Sequence, residues 1–196
     1  MVKKNETKTD RRVLYTKMFL KESLLELMKE KPVDKINPTE LCRHAGINRN
    51  TFYTHYYSPR DVLLEIEEEF SNEIIASLDK KLSETNSDAL LDELCRIIYD
   101  KKDFCKILLS ENGDPAFLQN VISMGKAPVV SSWKKSGIGM TEEDMEMLFT
   151  FIVNGSIAIL RRWTAEDMMM PPAEIAQMIN RISSGGISGM IRGSEK

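Results

Sequence analysis

The chain has 196 residues, 42% of them hydrophobic and 29% charged, enough for a buried core in one or two domains and outside the range of disordered or membrane-embedded chains. The formal charge of −3 conceals a split: residues 1–60 carry thirteen Lys/Arg against seven Asp/Glu, and residues 61–196 carry fourteen against twenty-three. A basic head on an acidic body suggests that the head alone meets a polyanion.

The polar N-terminal stretch lacks the apolar run of a targeting peptide and reads as an arm. No apolar run reaches the roughly 20 residues of a membrane span, so a cytoplasmic protein with no membrane partner is expected. Cys42, Cys95 and Cys105 are odd in number and lack CxxC spacing, which predicts reduced thiols. With His44 and His55 they form no zinc pattern, so neither a metal nor a cofactor is expected.

Helix 1 is predicted over Asp10–Lys31, with Leu14, Met18, Leu25 and Met28 as one apolar row widened by Leu20, Leu24 and Leu27. Pro32 ends it. The segment 36–55 then reads as helix, turn, helix. Pro38 suits a first helical turn, Gly46 a left-handed stop and Asn48 an N-cap. Leu41, Ala45, Ile47, Phe52 and Tyr56 are expected inside a three-helix bundle with Leu14, Met18 and Leu25. The second short helix opens with Arg49, Asn50 and Thr51, side chains that donate to base edges and phosphates. A helix-turn-helix of this composition is a DNA-reading device. The plain alternative, a solvated helix start, is less favoured.

Ser58-Pro59-Arg60-Asp61 starts a fourth helix that continues to about Leu82, a span of roughly 36 Å at 1.5 Å per residue. Its first turns (Val62, Leu63, Ile66) are expected on the head and its later ones (Ile74, Ile75, Leu78, Leu82) on the body. A polar loop over 83–87 follows. Helix 5 is predicted over Asp88–Lys101 and helix 6 from Asp103 to Ser110. Helix 7 starts at Asp114-Pro115 and is kinked or broken by Pro128. Helix 8 opens at Thr141 with a near capping box. Helix 9 spans about Ala173–Ser184 and is ended by Gly185-Gly186. No segment alternates like a strand. The fold class is therefore all-α, about nine helices, with a DNA-binding unit at 8–68 and a regulatory and dimerisation unit at 69–196.

The stretch Ala45-Gly46-Ile47-Asn48-Arg49-Asn50-Thr51-Phe52-Tyr53-Thr54-His55-Tyr56-Tyr57-Ser58 resembles the TetR family of bacterial transcription regulators, whose core pattern is G-[VI]-x-x-x-T-[LF]-Y-x-H-[FY] before a capped helix 4. The likeness covers roughly residues 10–70. Leu108 to Phe117 and Gly155 to Trp163 look like the C-terminal domains of dihydroxyacetone-kinase-type members. This resemblance implies a homodimer through helices 8 and 9 and a double-stranded DNA operator of two inverted half-sites. It places Thr39 near a phosphate, Arg49, Asn50 and Thr51 at the groove, and Tyr53 and His55 at bases or backbone. His55 reads equally well as a half-buried, backbone-bonded histidine. Tyr57 stands where a Lys or another polar residue is common. Pro59 replaces the frequent helix 4 lysine, so Arg60, one place later, is the candidate for its phosphate contact.

In the body, Phe104, Phe117, Met124, Trp133 and Phe151 are candidates to line an apolar ligand pocket, beside the plainer reading of core packing for each. Phe149, Ile152, Ile157, Leu160, Ile175 and Ile179 are the expected dimer surface, because helix 8 carries an apolar face too broad for one core. Met168-Met169-Met170 is expected as a loop at that seam. No nucleophile–base pair, paired carboxylate or phosphate-cradling loop supports catalysis. The expected function is a ligand-responsive dimeric repressor, with an activator or a regulator answering to a protein partner as the alternative. The effector is a small molecule or a protein of unknown identity.

Overall fold

The computed structural model describes residues 3–82, 87–135 and 139–193, with side chains over 11–77, 90–135 and 139–186. Its helices are α1 (Lys3–Met28), α2 (Pro38–Ala45), α3 (Arg49–Tyr53), α4 (Pro59–Leu82), α5 (Ser87–Asp100), α6 (Lys102–Leu108), α7 (Pro115–Lys135), α8 (Glu142–Ala165) and α9 (Pro172–Gly193). A 3-10 turn, Val33–Lys35, joins α1 to α2. No strand occurs among the described residues, so the fold is all-α. None of their helices is long and apolar enough to cross a membrane.

The chain divides into two units. One, the head, is Met1–Phe70 together with Glu111–Asp114; the other, the body, is Ser71–Ser110 with Pro115–Lys196. The four-residue turn that counts with the head lies far along the chain from it, a feature that local patterns do not announce. Helix α4 contributes to both units.

The head core consists of Leu20, Leu24, Met28, Leu41, Phe52, Val62 and Leu63, all at most 2% exposed, with Tyr56 beside them. Of the apolar surface expected on α1, Leu20, Leu24 and Met28 go inward and the N-terminal part of the row does not. Leu14 is 67% and Met18 41% exposed, while Leu25, Ala45 and Ile47 are only half-buried. The buried row 20-24-28 keeps strict i,i+4 spacing, whereas the row 14-18-25-28 drifts across the helix surface. The start of α1 also differs: the arm is helical from Lys3 onward.

In the body, α5 packs on α9, α7 on α8, and α6 on α5 and α8. One apolar cluster comprises Cys95, Trp163, Met168, Ile175, Ala176 and Ile179. A second comprises Val130, Met145 and Phe149, with Ile122, Trp133 and Val153 against it. Two helices are continuous where a break was one of the expectations. Helix α7 continues through Pro128; the ring sacrifices one bond to the Met124 carbonyl, and Val129, Val130 and Trp133 on the next turns are held by the second cluster. Helix α9 continues past Gly185 and Gly186 to Gly193, since glycine weakens a helix by about 1 kcal/mol but does not stop one. Leu78 and Leu82 lie outside the residues described in side-chain detail, and residues 83–86 of the expected polar loop lie outside the described residues.

Candidate nucleic-acid interface

The geometry of α2 and α3 is set by local caps. Asn37 Oδ1 accepts from the Glu40 amide at 3.0 Å and Asn48 Oδ1 from the Asn50 amide at 2.8 Å. Between the helices Gly46 takes φ 66°, in the left-handed region, and a Cβ added there would meet nothing within 4 Å. Conformation, not space, thus requires the glycine. The helix-turn-helix is fastened to the connection after α1 by Lys31, whose Nζ lies 2.7 and 2.9 Å from the two Glu40 carboxylate oxygens. That partner holds the Glu40 carboxyl below its ordinary range.

The exposed side of α3 presents Arg49, Asn50 and Thr51, and Thr39 of α2 is also exposed. Tyr53 is 44% exposed and leans edge-on against buried Phe52, centroids 5.3 Å apart. Arg49 Nη2 donates to the Tyr53 hydroxyl at 3.3 Å and its guanidinium lies 5.8 Å from the ring centroid. The two side chains therefore limit each other's rotamers and lose less freedom on meeting a ligand. Tyr57 is 89% exposed. His55 is half-buried, its ring 6.5 Å from that of Tyr56.

Arg60 is placed differently from the other candidates. Its Nε and Nη2 lie 3.1 and 3.0 Å from Asp34 Oδ1, and its Nη1 is 2.9 Å from Asp114 Oδ2. Asp114 first, then Asp34, raises its pKa further above an already high value.

Sequence reasoning missed the group that seats this surface on the head. Glu65 of α4 accepts from Lys17 at 2.9 Å and from the Tyr56 hydroxyl at 3.0 Å, and Lys21 Nζ is 2.8 Å away while also reaching Glu69 at 2.7 Å. Burial pulls the Glu65 carboxyl upward, but the bonds from Lys17, Lys21 and Tyr56 outweigh it and hold it down at about 2. Tyr56, raised by burial and by Glu65, stays protonated and donating. Glu65 sits in the run Glu65-Ile66-Glu67-Glu68-Glu69, which by pattern reads as a solvated face. The one available signal was its i,i+4 pairing with Glu69 beneath a basic helix.

Candidates in the body fare unevenly. Phe104 and Phe117 are buried and face each other at 6.1 Å, and Met124 and Trp133 are half-buried. Phe151 is 72% exposed, so it points away from any interior pocket of the chain. Phe149, Ile175 and Ile179 are buried in the chain's own clusters and are unavailable to a partner surface. Ile152, Ile157 and Leu160 are half-buried. Among the described residues, the exposed large apolar side chains of α8 and α9 are instead Met147, Phe151 and Ile182. Of the methionine loop, Met168 is buried in the α5–α9 core and Met169 is 88% exposed, while the Met170 carbonyl accepts from Trp163 Nε1 at 2.8 Å. Its anchoring is intramolecular.

The three cysteines are free and buried. Burial, with Asp92 adding to it, pushes the Cys95 thiol up to about 12, and burial does the same for Cys105. No group able to hold a metal occurs among the described residues.

Residues 85–185 match a TetR family described as transcriptional regulator C-terminal region. No curated protein matches the chain. Among solved structures, the fatty acid degradation regulator FadR of Bacillus halodurans superposes with a TM-score of 0.70 at 12% identity, over 87% of this chain and 95% of that one. A TetR transcriptional regulator from Streptococcus agalactiae gives 0.64 at 21% identity, over 91% and 98%. The dihydroxyacetone kinase operon activator DhaS gives 0.60 at 17% identity, over 88% and 96%. At these identities the structures establish the fold alone. The family match covers more than half of the chain, and on that ground the protein belongs to the TetR family of transcription regulators.

Proposed function

We propose that the protein is a sequence-specific DNA-binding repressor that acts as a homodimer and releases its operator when an effector binds the body. The observation that carries this reading is the exposed row Arg49, Asn50 and Thr51 at the start of a capped α3, with Arg49 pre-set against Tyr53. Arginine and asparagine pair with guanine and adenine edges in the major groove, and a short helix on a rigid turn presents them in fixed register. Thr39, Tyr53, His55 and Tyr57 flank that row and supply phosphate and backbone contacts. A dimer through α8 and α9 is supported by the exposed Met147, Phe151 and Ile182, apolar surface that a second copy would cover. Phe104, Phe117, Met124 and Trp133 are the proposed effector-side residues.

The test is selection of bound sequences from random DNA, followed by affinity measurements at several salt concentrations. An inverted repeat whose affinity falls with salt supports the reading; Arg49→Ala and Tyr53→Ala binding as tightly as wild type sinks α3 as the reading helix. The fold shared with an operon activator supports the opposite sign of regulation as a second reading. Transcription from a reporter fused to the selected site separates the two.

A further inference from the structure

Arg60 joins three stretches of chain that are distant in sequence. Asp34 lies in the turn between α1 and α2, at the doorway of the helix-turn-helix. Asp114 closes the turn Glu111–Asp114, which counts with the head although it connects α6 to α7. The same turn is tied to the end of α1, where Asn112 Nδ2 donates to the Lys29 carbonyl at 3.2 Å. Two turns along α4 from Arg60 is Glu67, 5% exposed, and the groups acting on its charge are Asp114 and Arg60.

We propose that Arg60 and Asp114 are positioning residues for operator binding: their ion pair fastens the α6–α7 connection to the base of the helix-turn-helix, and closure of this pair, not contact of Arg60 with a phosphate, sets operator affinity. The inference rests on the DNA-binding reading above. Its physical basis is the placement of the guanidinium. Three of its nitrogens are directed to two carboxylates at 2.9–3.1 Å, the fixed fork for which arginine is suited. The charge of Arg60 is already set against two carboxylates, so it is offset before a phosphate could meet it. A connection held at Lys29, Arg60 and, through Arg60, Asp34 cannot shift without disturbing the mount of α2 and α3.

The two roles of Arg60 predict opposite results with the full-length protein and its selected operator. Operator affinity and its salt dependence are measured for wild type, Arg60→Gln, Asp114→Asn and the double variant, with thermal unfolding as the folding control. As positioning residues, each single variant weakens binding by about tenfold, the double variant is no worse than either single, and the slope of log K against log salt stays at the wild-type value. As a phosphate ligand, Arg60→Gln lowers the slope by about 0.9 and Asp114→Asn leaves affinity unchanged or raises it; that result overturns the proposal. Additive losses in the double variant also overturn it, because they mean that the two side chains act separately. Failure of the wild-type protein to bind any DNA removes the functional reading itself, whereas wild-type binding with an unaffected Asp114→Asn removes only this inference.

Discussion

In the head, helices are tied to one another by directional charge pairs around a single core: Lys31 to Glu40, Lys17 and Lys21 to Glu65, Arg60 to Asp34 and Asp114. In the body, α5, α7, α8 and α9 meet through two apolar clusters; ion pairs also join its elements, Lys126–Glu146 and Lys134–Glu142 between α7 and α8 and Lys106–Asp167, but they are more exposed than those of Lys17, Lys21 and Lys31 in the head and so contribute less, and apolar side chains remain exposed at Met147, Phe151 and Ile182. Charge pairs and hydrogen bonds fix orientation, because they weaken steeply when misaligned. Apolar packing fixes volume and tolerates sliding or repacking at similar cost. A unit that must hold reading side chains in register suits the first kind of bond. On the proposed function, the unit that accepts an effector and a partner suits the second.

The largest effect expected from breaking this contrast is at Phe52, which is fully buried and touches both Tyr53 and Tyr56. Phe52→Ala should destabilise the head by about 3–5 kcal/mol, read as a lowered denaturant midpoint with loss of operator binding. Next, Arg49→Ala should cost about 1–3 kcal/mol in operator affinity while the unfolding midpoint stays within about 0.5 kcal/mol of wild type. A matching loss of stability would mean that Arg49 holds the fold and not the operator.

Two carboxyls of α4 should respond to pH in opposite directions. Glu65 is held at about 2, below its unfolded value, so it contributes stability above pH 4.5 that is lost as pH falls toward 2. Glu67 is raised to about 7 by burial and by Asp114, against the pull of Arg60. The folded state there binds a proton that the unfolded state releases, so stability declines as pH rises from 4.5 through 7. Denaturation at pH 3, 5.5 and 8 should show Glu65→Gln flattening the acid side and Glu67→Gln the neutral side. The smallest effect on folding is expected in the body: Met147→Ser with Phe151→Ser should leave unfolding within about 0.5 kcal/mol in the monomer yet shift sedimentation toward the monomer.

The helix-turn-helix was legible because its determinants are local. Gly46 and Asn48 each act on their own turn, and both perform the expected part. The inward face of α1 was legible only in part: Leu20, Leu24 and Met28 were on the expected surface, but apolar residues lie on more than one side of the helix and only the helices packed against it choose between them. Phe149 and Phe151 are two residues apart on one helix, yet one is buried and the other 72% exposed; a broad apolar stripe cannot say where the core ends. The Arg60 cluster was illegible for a different reason. Asp34 and Asp114 come 26 and 54 residues from Arg60, and no local pattern encodes which distant carboxylate an arginine meets.

The three buried thiols have a practical consequence. The thiolate is the reactive form, and with Cys95 and Cys105 pushed to about 12 and Cys42 raised by burial, the native protein should be silent to alkylating dyes at neutral pH. A cysteine introduced at Tyr57, 89% exposed, would then label alone, beside α3. Slow background labelling would report the rate at which the cores themselves open, so one reagent times both the surface and the interior.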